Sequence, residues 1–183
     1  MKNLPYLLTF PRSGSHYFDE IIYKKIGIHI EKSHFVSELF DENNQKKRKI
    51  ITIVRNPIDT LVSYRASELR KYIPPESAQK TRTREAISEY ILFNNFLYQY
   101  ADYVIDFNDL VTYPDSIAKK IISLLEINEE DYKFFDRGNY WYEKEYLPSS
   151  KVLPSYSANL LDGFDLGLCN FYYNKVLEKK IAL

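Results

Sequence analysis

Two arginines and a histidine stand where short apolar runs give way to polar residues. Arg12 lies in Pro-Arg-Ser-Gly-Ser, residues 11–15, between an apolar run and a helical pattern. A strand, a tight glycine turn and a helix start leave several backbone N–H groups of the first helical turn without carbonyl partners. The helix dipole adds partial positive charge there, so a phosphate or sulfate group fits. Arg12 contributes a full charge and a planar fork of donors. Arg55 opens a second such stretch, Arg-Asn-Pro-Ile-Asp, and Ser63 follows it eight residues on. His34 ends Glu-Lys-Ser-His, residues 31–34. An imidazole is ordinarily largely uncharged at pH 7 and can accept a hydroxyl proton.

These residues also admit a purely structural account. Any strand-to-helix connection can use a glycine, and Asn56, Pro57 and Asp59 are good helix-start residues whatever stands before them. What separates the accounts is whether independent elements carry the residues to one place. Tyr6 to Phe10 reads as a strand, and Phe18, Ile21, Ile22 and Ile26 recur at helical spacing with Gly27 placed to end the helix. Ile26 to Ile30 gives a second short apolar run. Ile50 to Val54 is a near-continuous apolar strand of the kind buried on both faces of a parallel sheet, followed by the capped helix from Pro57. Tyr72 to Arg84 reads as a proline-containing, charged loop, and the segment from Glu85 to Ala101 as a helix apolar on most sides. A fourth strand, Tyr103 to Phe107, precedes an amphipathic helix with Pro114 at its start, and a terminal helix closes the chain. Strands alternating with helices predict an α/β domain around a mainly parallel sheet, whose ligands sit at the carboxyl ends of the strands. Arg12 to Ser15 follow strand one, His34 strand two, Arg55 strand three, and Asn108 and Asp109 strand four.

Composition limits the possibilities. The 183 residues form one domain in the simplest reading, and 45% hydrophobic with 27% charged residues is ordinary for a globular protein. Lys+Arg and Asp+Glu both number 25, so net charge points to neither nucleic acid nor an anionic membrane, and an anion site must be local. A single cysteine, Cys169, excludes an internal disulfide and fits a reducing compartment. The opening residues read as running straight into the first strand, too soon interrupted for a signal peptide or membrane span, so a cytoplasmic protein is expected.

The first loop lacks the Gly-Lys pair and magnesium-holding hydroxyl of a Walker A motif. Instead, Pro11 to Ser15 and Arg55 to Tyr64 together resemble the sulfotransferase family, which carries a Pro-Lys/Arg-Ser-Gly-Thr/Ser loop and an Arg-Asn-Pro-x-Asp-x-x-x-Ser-x-Tyr segment in this order. The resemblance implies a three-layer, P-loop-like sulfotransferase fold over residues 1–183. It implies a donor, 3′-phosphoadenosine 5′-phosphosulfate (PAPS), with adenosine 3′,5′-bisphosphate (PAP) as product and no metal. It also implies transfer of a sulfuryl group to an acceptor hydroxyl or amine. By the same resemblance Arg12, Ser13, Gly14, Ser15, His16 and Tyr17 bind the 5′-phosphosulfate end and the nearby adenine, and Arg55 and Ser63 the 3′-phosphate. Glu31 to Phe35 resembles the segment that carries the family's catalytic histidine. This makes His34 the base, with Lys32 its accompanying lysine and Glu31 the competing base, as in protein-tyrosine sulfotransferases. Arg12 replaces the lysine of cytosolic members; it can stabilise departing charge but not donate a proton at neutral pH. Asp106 to Leu125 resembles a family segment followed by a helix that starts near a proline, which supports the fold, with Asp109 structural. The C-terminal phosphate loop has no clear counterpart, unless Pro148 to Lys151 stands in for it.

Two other classes remain open on the sequence. One is a P-loop-like, ATP-dependent phosphotransferase with Asp106 helping to hold magnesium; the other is a non-catalytic nucleotide-binding module. Neither nucleic acid nor a membrane span is expected as a partner, and the acceptor is not specified by any residue pattern.

Overall fold

The computed structural model describes residues 5–27, 30–34, 48–69, 72, 74–124 and 159–182. Four parallel strands make its sheet: β1 (Tyr6–Leu8), β2 (Lys32–Ser33), β3 (Ile50–Val54) and β4 (Tyr103–Asp106), in the order β2-β1-β3-β4. The helices are α1 (Ser15–Ile26), α2 (Pro57–Leu69), α3 (Glu76–Tyr100), α4 (Phe107–Thr112), α5 (Pro114–Leu124) and α6 (Gly167–Leu177). This is the α/β architecture that the alternating pattern predicts.

Strand alternation sorts the core into two layers. Leu7, Ile51, Ile53 and Ile105 face α1 and α5, where they meet Phe18, Ile22, Ile117 and Ile121. Leu8, Ile50, Val54 and Val104 face the other way, onto Leu97 of α3 and Val176 of α6. Both faces of the sheet are therefore covered, which is why β3 is apolar at nearly every position. The chain leaves β1 for β2 in one direction and β3 for β4 in the other. The crevice between the carboxyl ends of β1 and β3 is thus the topological switch point, the place where open α/β sheets bind ligands. Arg12 and Arg55 both stand there.

Three elements differ from their sequence reading. The second strand does not begin at Ile26, because α1 continues to Ile26 and ends at Gly27, whose φ of 69° and N–H bond to Tyr23 O close the last turn. Pairing with β1 begins only at Lys32. His29, which the sequence reading places inside the second strand as a structural residue, lies outside the described residues, as do Phe35 and Pro148 to Lys151. The charged stretch from Glu76 to Arg84 is helical rather than loop, forming the first turns of α3. Its apolar stripe is thin because this end packs on a buried arginine instead of on hydrocarbon. Arg65 of α2, 1% exposed, donates to Thr83 Oγ1 (3.4 Å) and Gln79 O (3.5 Å) and is ion-paired with Glu68. Farther along, α3 is buried on one side only; Tyr90, Asn94 and Leu97 turn inward and Leu92 outward. Finally, β4 stops at Asp106, whose carboxylate accepts from Asn108 N (2.9 Å) and caps α4, so Phe107 begins a helix instead of ending a strand.

Candidate active site

The corner after β1 is built around backbone geometry. Phe10 anchors it, with its ring edge-on to Tyr64, Tyr90 and Phe93 at centroid distances of 5.4, 5.2 and 5.7 Å. From there the chain turns through Arg12 at φ 71° and Gly14 at φ 104°. A non-glycine residue at positive φ is uncommon and persists only where its surroundings hold it, typically at functional sites. Gly14 is needed twice over: its φ is costly for a side chain, and a Cβ there would lie 2.6 Å from Cδ2 and Cε2 of Phe107. Ser13 and Ser15 are buried, and α1 starts with no side chain capping it and no acid in its first turn. Its amide N–H groups and dipole are left to serve an external anion.

The second motif meets the first directly. Arg12 Nε donates to Ser63 Oγ at 3.2 Å, and Arg55 Nη1 donates to Arg12 O at 3.4 Å. Ser63, on the inner face of α2, is 8% exposed, so it does not point to solvent as a purely structural reading would have it. The Arg55 carbonyl accepts from Tyr90 OH (3.0 Å) and Thr60 Oγ1 (3.3 Å), which pins the backbone at the end of β3. Burial raises the pKa of the Tyr90 hydroxyl, which keeps it a donor. The Arg55 guanidinium lies over the Phe107 ring, 4.7 Å from its centroid, and its buried Nε has no hydrogen-bond partner. Burial lowers the Arg55 pKa; Asp59 offsets part of this, and the Arg12 charge lowers it further. Two guanidinium groups thus share one crevice, and no carboxylate among the described residues forms an ion pair with either. A desolvated cation in that position is strongly favoured by an arriving anion.

The third cluster sits beyond β1, on the edge strand. Asp19 of α1 is 2% exposed; its Oδ1 accepts from Ile30 N (3.2 Å) and its Oδ2 from Lys32 Nζ (3.1 Å). Lys32 Nζ is also 3.4 Å from His16 Nδ1. Burial and then the Lys32 charge hold the His16 pKa below its ordinary value, and Asp19 only partly offsets them. His34 is exposed, and its Nδ1 is 2.7 Å from Thr9 O. A carbonyl can only accept, so Nδ1 carries a proton, and in the neutral ring Nε2 is the basic nitrogen. Glu31 points to the opposite side of β2 from Lys32 and is ion-paired with Arg48, whose guanidinium stacks over Tyr6 at 3.6 Å. Tyr17 packs its ring against the α1-side core.

The structure therefore gathers Arg12, Ser13, Gly14, Ser15, Arg55 and Ser63 at one crevice and places Lys32, His16 and His34 at its β2 side. Glu31 is not brought to that group. Residues 25–136, more than half of the chain, match the family model described as a sulfotransferase domain. This chain belongs to the sulfotransferase family. No curated protein matches it. The matched span holds the Arg55–Ser63 segment and His34 but begins after the glycine loop. For this sulfotransferase the loop's membership of the site is supported by its contacts with Ser63 and Arg55.

Sequence reasoning missed two residues of the site. Asp19 had a signal: a carboxylate one position after Phe18 and three before Ile22, on the apolar side of α1, must find a partner. Phe107 had none, because its importance comes from where β4 ends relative to two other loops. A separate cleft of about 400 Å³ between α2 and α3 is lined by Tyr64, Glu68, Arg82, Glu85 and Glu89 among others. Its three carboxylates make it a poor seat for an anionic donor. Asp109 is ion-paired with Lys180 at 2.9 Å, in keeping with the structural role expected of it. No helix among the described residues is long and apolar enough to cross a membrane.

Proposed function

We propose that this sulfotransferase moves a sulfuryl group from PAPS to an acceptor hydroxyl or amine, in a single domain spanning 1–183. The observation that carries the reading is the pair of arginines, Arg12 and Arg55, converging at an uncapped helix start with no ion-paired carboxylate among the described residues. The fit to the donor is good on two counts. The Arg55 Nε is a buried, unpartnered donor, and the Ser63 hydroxyl accepts from Arg12 while its own proton stays available. In this reading the 5′-phosphosulfate rests on the amides and side chains of Arg12 to His16, and Arg55 with Ser63 takes the 3′-phosphate. Tyr17 flanks the adenine.

Bound there, the donor supplies an activated sulfuryl group, whose sulfur gains a bond to the acceptor atom as its bond to the 5′-phosphate oxygen breaks. His34 takes the acceptor proton on Nε2, with Nδ1–H held by Thr9 O so that the basic nitrogen keeps its orientation. Arg12, the loop N–H groups and Lys32 stabilise the negative charge that collects on the departing phosphate. Glu31 takes no part as a base, its carboxylate being paired with Arg48. Holding the two reactants in line supplies much of the remaining acceleration.

Calorimetric titration with PAP, beside ATP with and without magnesium, tests this on the wild type and Arg55→Ala. Tight, metal-independent PAP binding is expected. In the variant it should weaken by at least about 10-fold, since each charge-assisted hydrogen bond contributes about 1.5–3 kcal/mol. Preference for ATP with magnesium, or no PAP binding at all, overturns the reading. With an acceptor in hand, full turnover by His34→Ala would remove the base assignment.

A further inference from the structure

Arg55 is a long side chain with little to hold it. Its one side-chain hydrogen bond among the described residues, to Arg12 O, is a lengthy 3.4 Å, and its Nε has no partner. The guanidinium also lies over the face of Phe107, 4.7 Å from ring centroid to guanidinium carbon. A guanidinium over an aromatic face is attracted by the ring quadrupole, more strongly where water is scarce. The same ring fills the space above Gly14, where its Cδ2 and Cε2 would lie 2.6 Å from any Cβ. Phe107 is itself well anchored. Asp106 before it pairs in register with Val54 and caps α4, Leu110 after it is fully buried, and Asp109 is tied to Lys180.

Resting on the donor-site reading above, we infer that Phe107 is a positioning residue. It holds the Arg55 guanidinium toward the 3′-phosphate while packing on the Gly14 turn that receives the 5′ end. One ring at the end of β4 thereby sets the spacing of the two anion subsites, and selectivity for a nucleotide phosphorylated at both ends depends on it. The chemistry recognised is a pair of phosphate-type anions at fixed separation, with the 3′ one depending on Phe107 and the 5′ one much less so.

The test compares PAP with adenosine 5′-monophosphate, which lacks the 3′-phosphate, by calorimetry on the wild type, Phe107→Leu, Phe107→Met, Phe107→Tyr, Arg55→Ala and Arg55→Ala/Phe107→Leu. Leu and Met keep apolar volume and lose the quadrupole, whereas Tyr keeps both; thermal melts select those that fold, and either of the first two suffices. Phe107→Leu is expected to weaken PAP by about 3- to 10-fold, leave the monophosphate unchanged, and add nothing in the Arg55→Ala background. Phe107→Tyr should match the wild type. Equal weakening of both nucleotides, or a further loss when Arg55 is already gone, overturns the inference, because the ring then acts on the nucleotide or the whole corner rather than through Arg55. A Phe107→Leu protein that binds both like the wild type, beside a crippled Arg55→Ala, overturns it alone. An Arg55→Ala protein that binds PAP as the wild type does removes the donor-site reading and this inference together.

Discussion

Two strand-to-helix corners stand side by side at the switch point, and they treat their helix starts in opposite ways. At β3–α2, Asn56 Oδ1 accepts from Ile58 N (2.9 Å) and Asp59 N (3.5 Å), Pro57 occupies the first turn, and Asp59 sits at the positive end of the dipole. That corner has satisfied itself. It can offer a ligand only side chains, namely Arg55 and Ser63. At β1–α1, Gly14 supplies no cap and the first turn holds no acid, so the amides and dipole remain to be used. The difference illustrates that a helix N-terminus is left open to an anion only when the sequence withholds its own anion and its own cap.

That contrast can be broken at its strongest point by Gly14→Ala. The methyl group would meet the Phe107 ring, and its φ of 104° costs an alanine about 1–3 kcal/mol in backbone strain alone. Loss of that much stability in denaturant melts, with PAP affinity down at least about 10-fold, is the expected outcome. An alanine variant as stable and as tight as the wild type would show that the turn is not under the constraint described. A smaller effect, of the opposite kind, is expected from Asn56→Ala. Removing a cap of this type costs about 1 kcal/mol, seen as a lower melting point, while PAP affinity stays within about twofold because those amides never served the ligand. If affinity fell as steeply as it does for Gly14→Ala, the two corners would not be doing different jobs.

The smallest effect concerns protons. His16, in the first turn of the uncapped helix, has its pKa held below 6.5 by burial first and then by Lys32. The unfolded chain therefore binds more protons than the folded one between the lowered pKa and 6.5, so folding stability declines as pH falls through that window and levels off below it. Melting curves of the wild type and His16→Gln from pH 7.5 to 5 should diverge in the acid range, with the wild type losing more. PAP should narrow the gap, since an anion beside His16 favours its protonated form. Parallel curves with and without PAP would place His16 away from the phosphates.

Much of this site was legible in the residues. Arg12, Gly14, Arg55 and Ser63 announce themselves by type and by position after apolar runs, and Phe18, Ile22 and Ile50 to Val54 announce the layers that carry them. The polar start of α3 was not legible, because its inward face serves the buried Arg65 and leaves no apolar period to read. The second strand was misplaced because an apolar run cannot reveal that a preceding helix continues into it before Gly27 ends the last turn.

The sequence by itself determined the local chemistry: a glycine turn before a helix start, a second turn with a cap, an arginine at the end of a buried strand, and a histidine near a lysine. These follow from neighbours within a few residues, where caps, turns and periodicity act. Only the tertiary structure decided which of them cooperate. Ser63 joined to Arg12, Asp19 joined to Lys32, Glu31 drawn off to Arg48, and Phe107 set against both Gly14 and Arg55 are contacts between residues 13 to 93 positions apart. They exist because parallel strand pairing brings like ends of β2, β1, β3 and β4 side by side, and no spacing along the chain encodes that order.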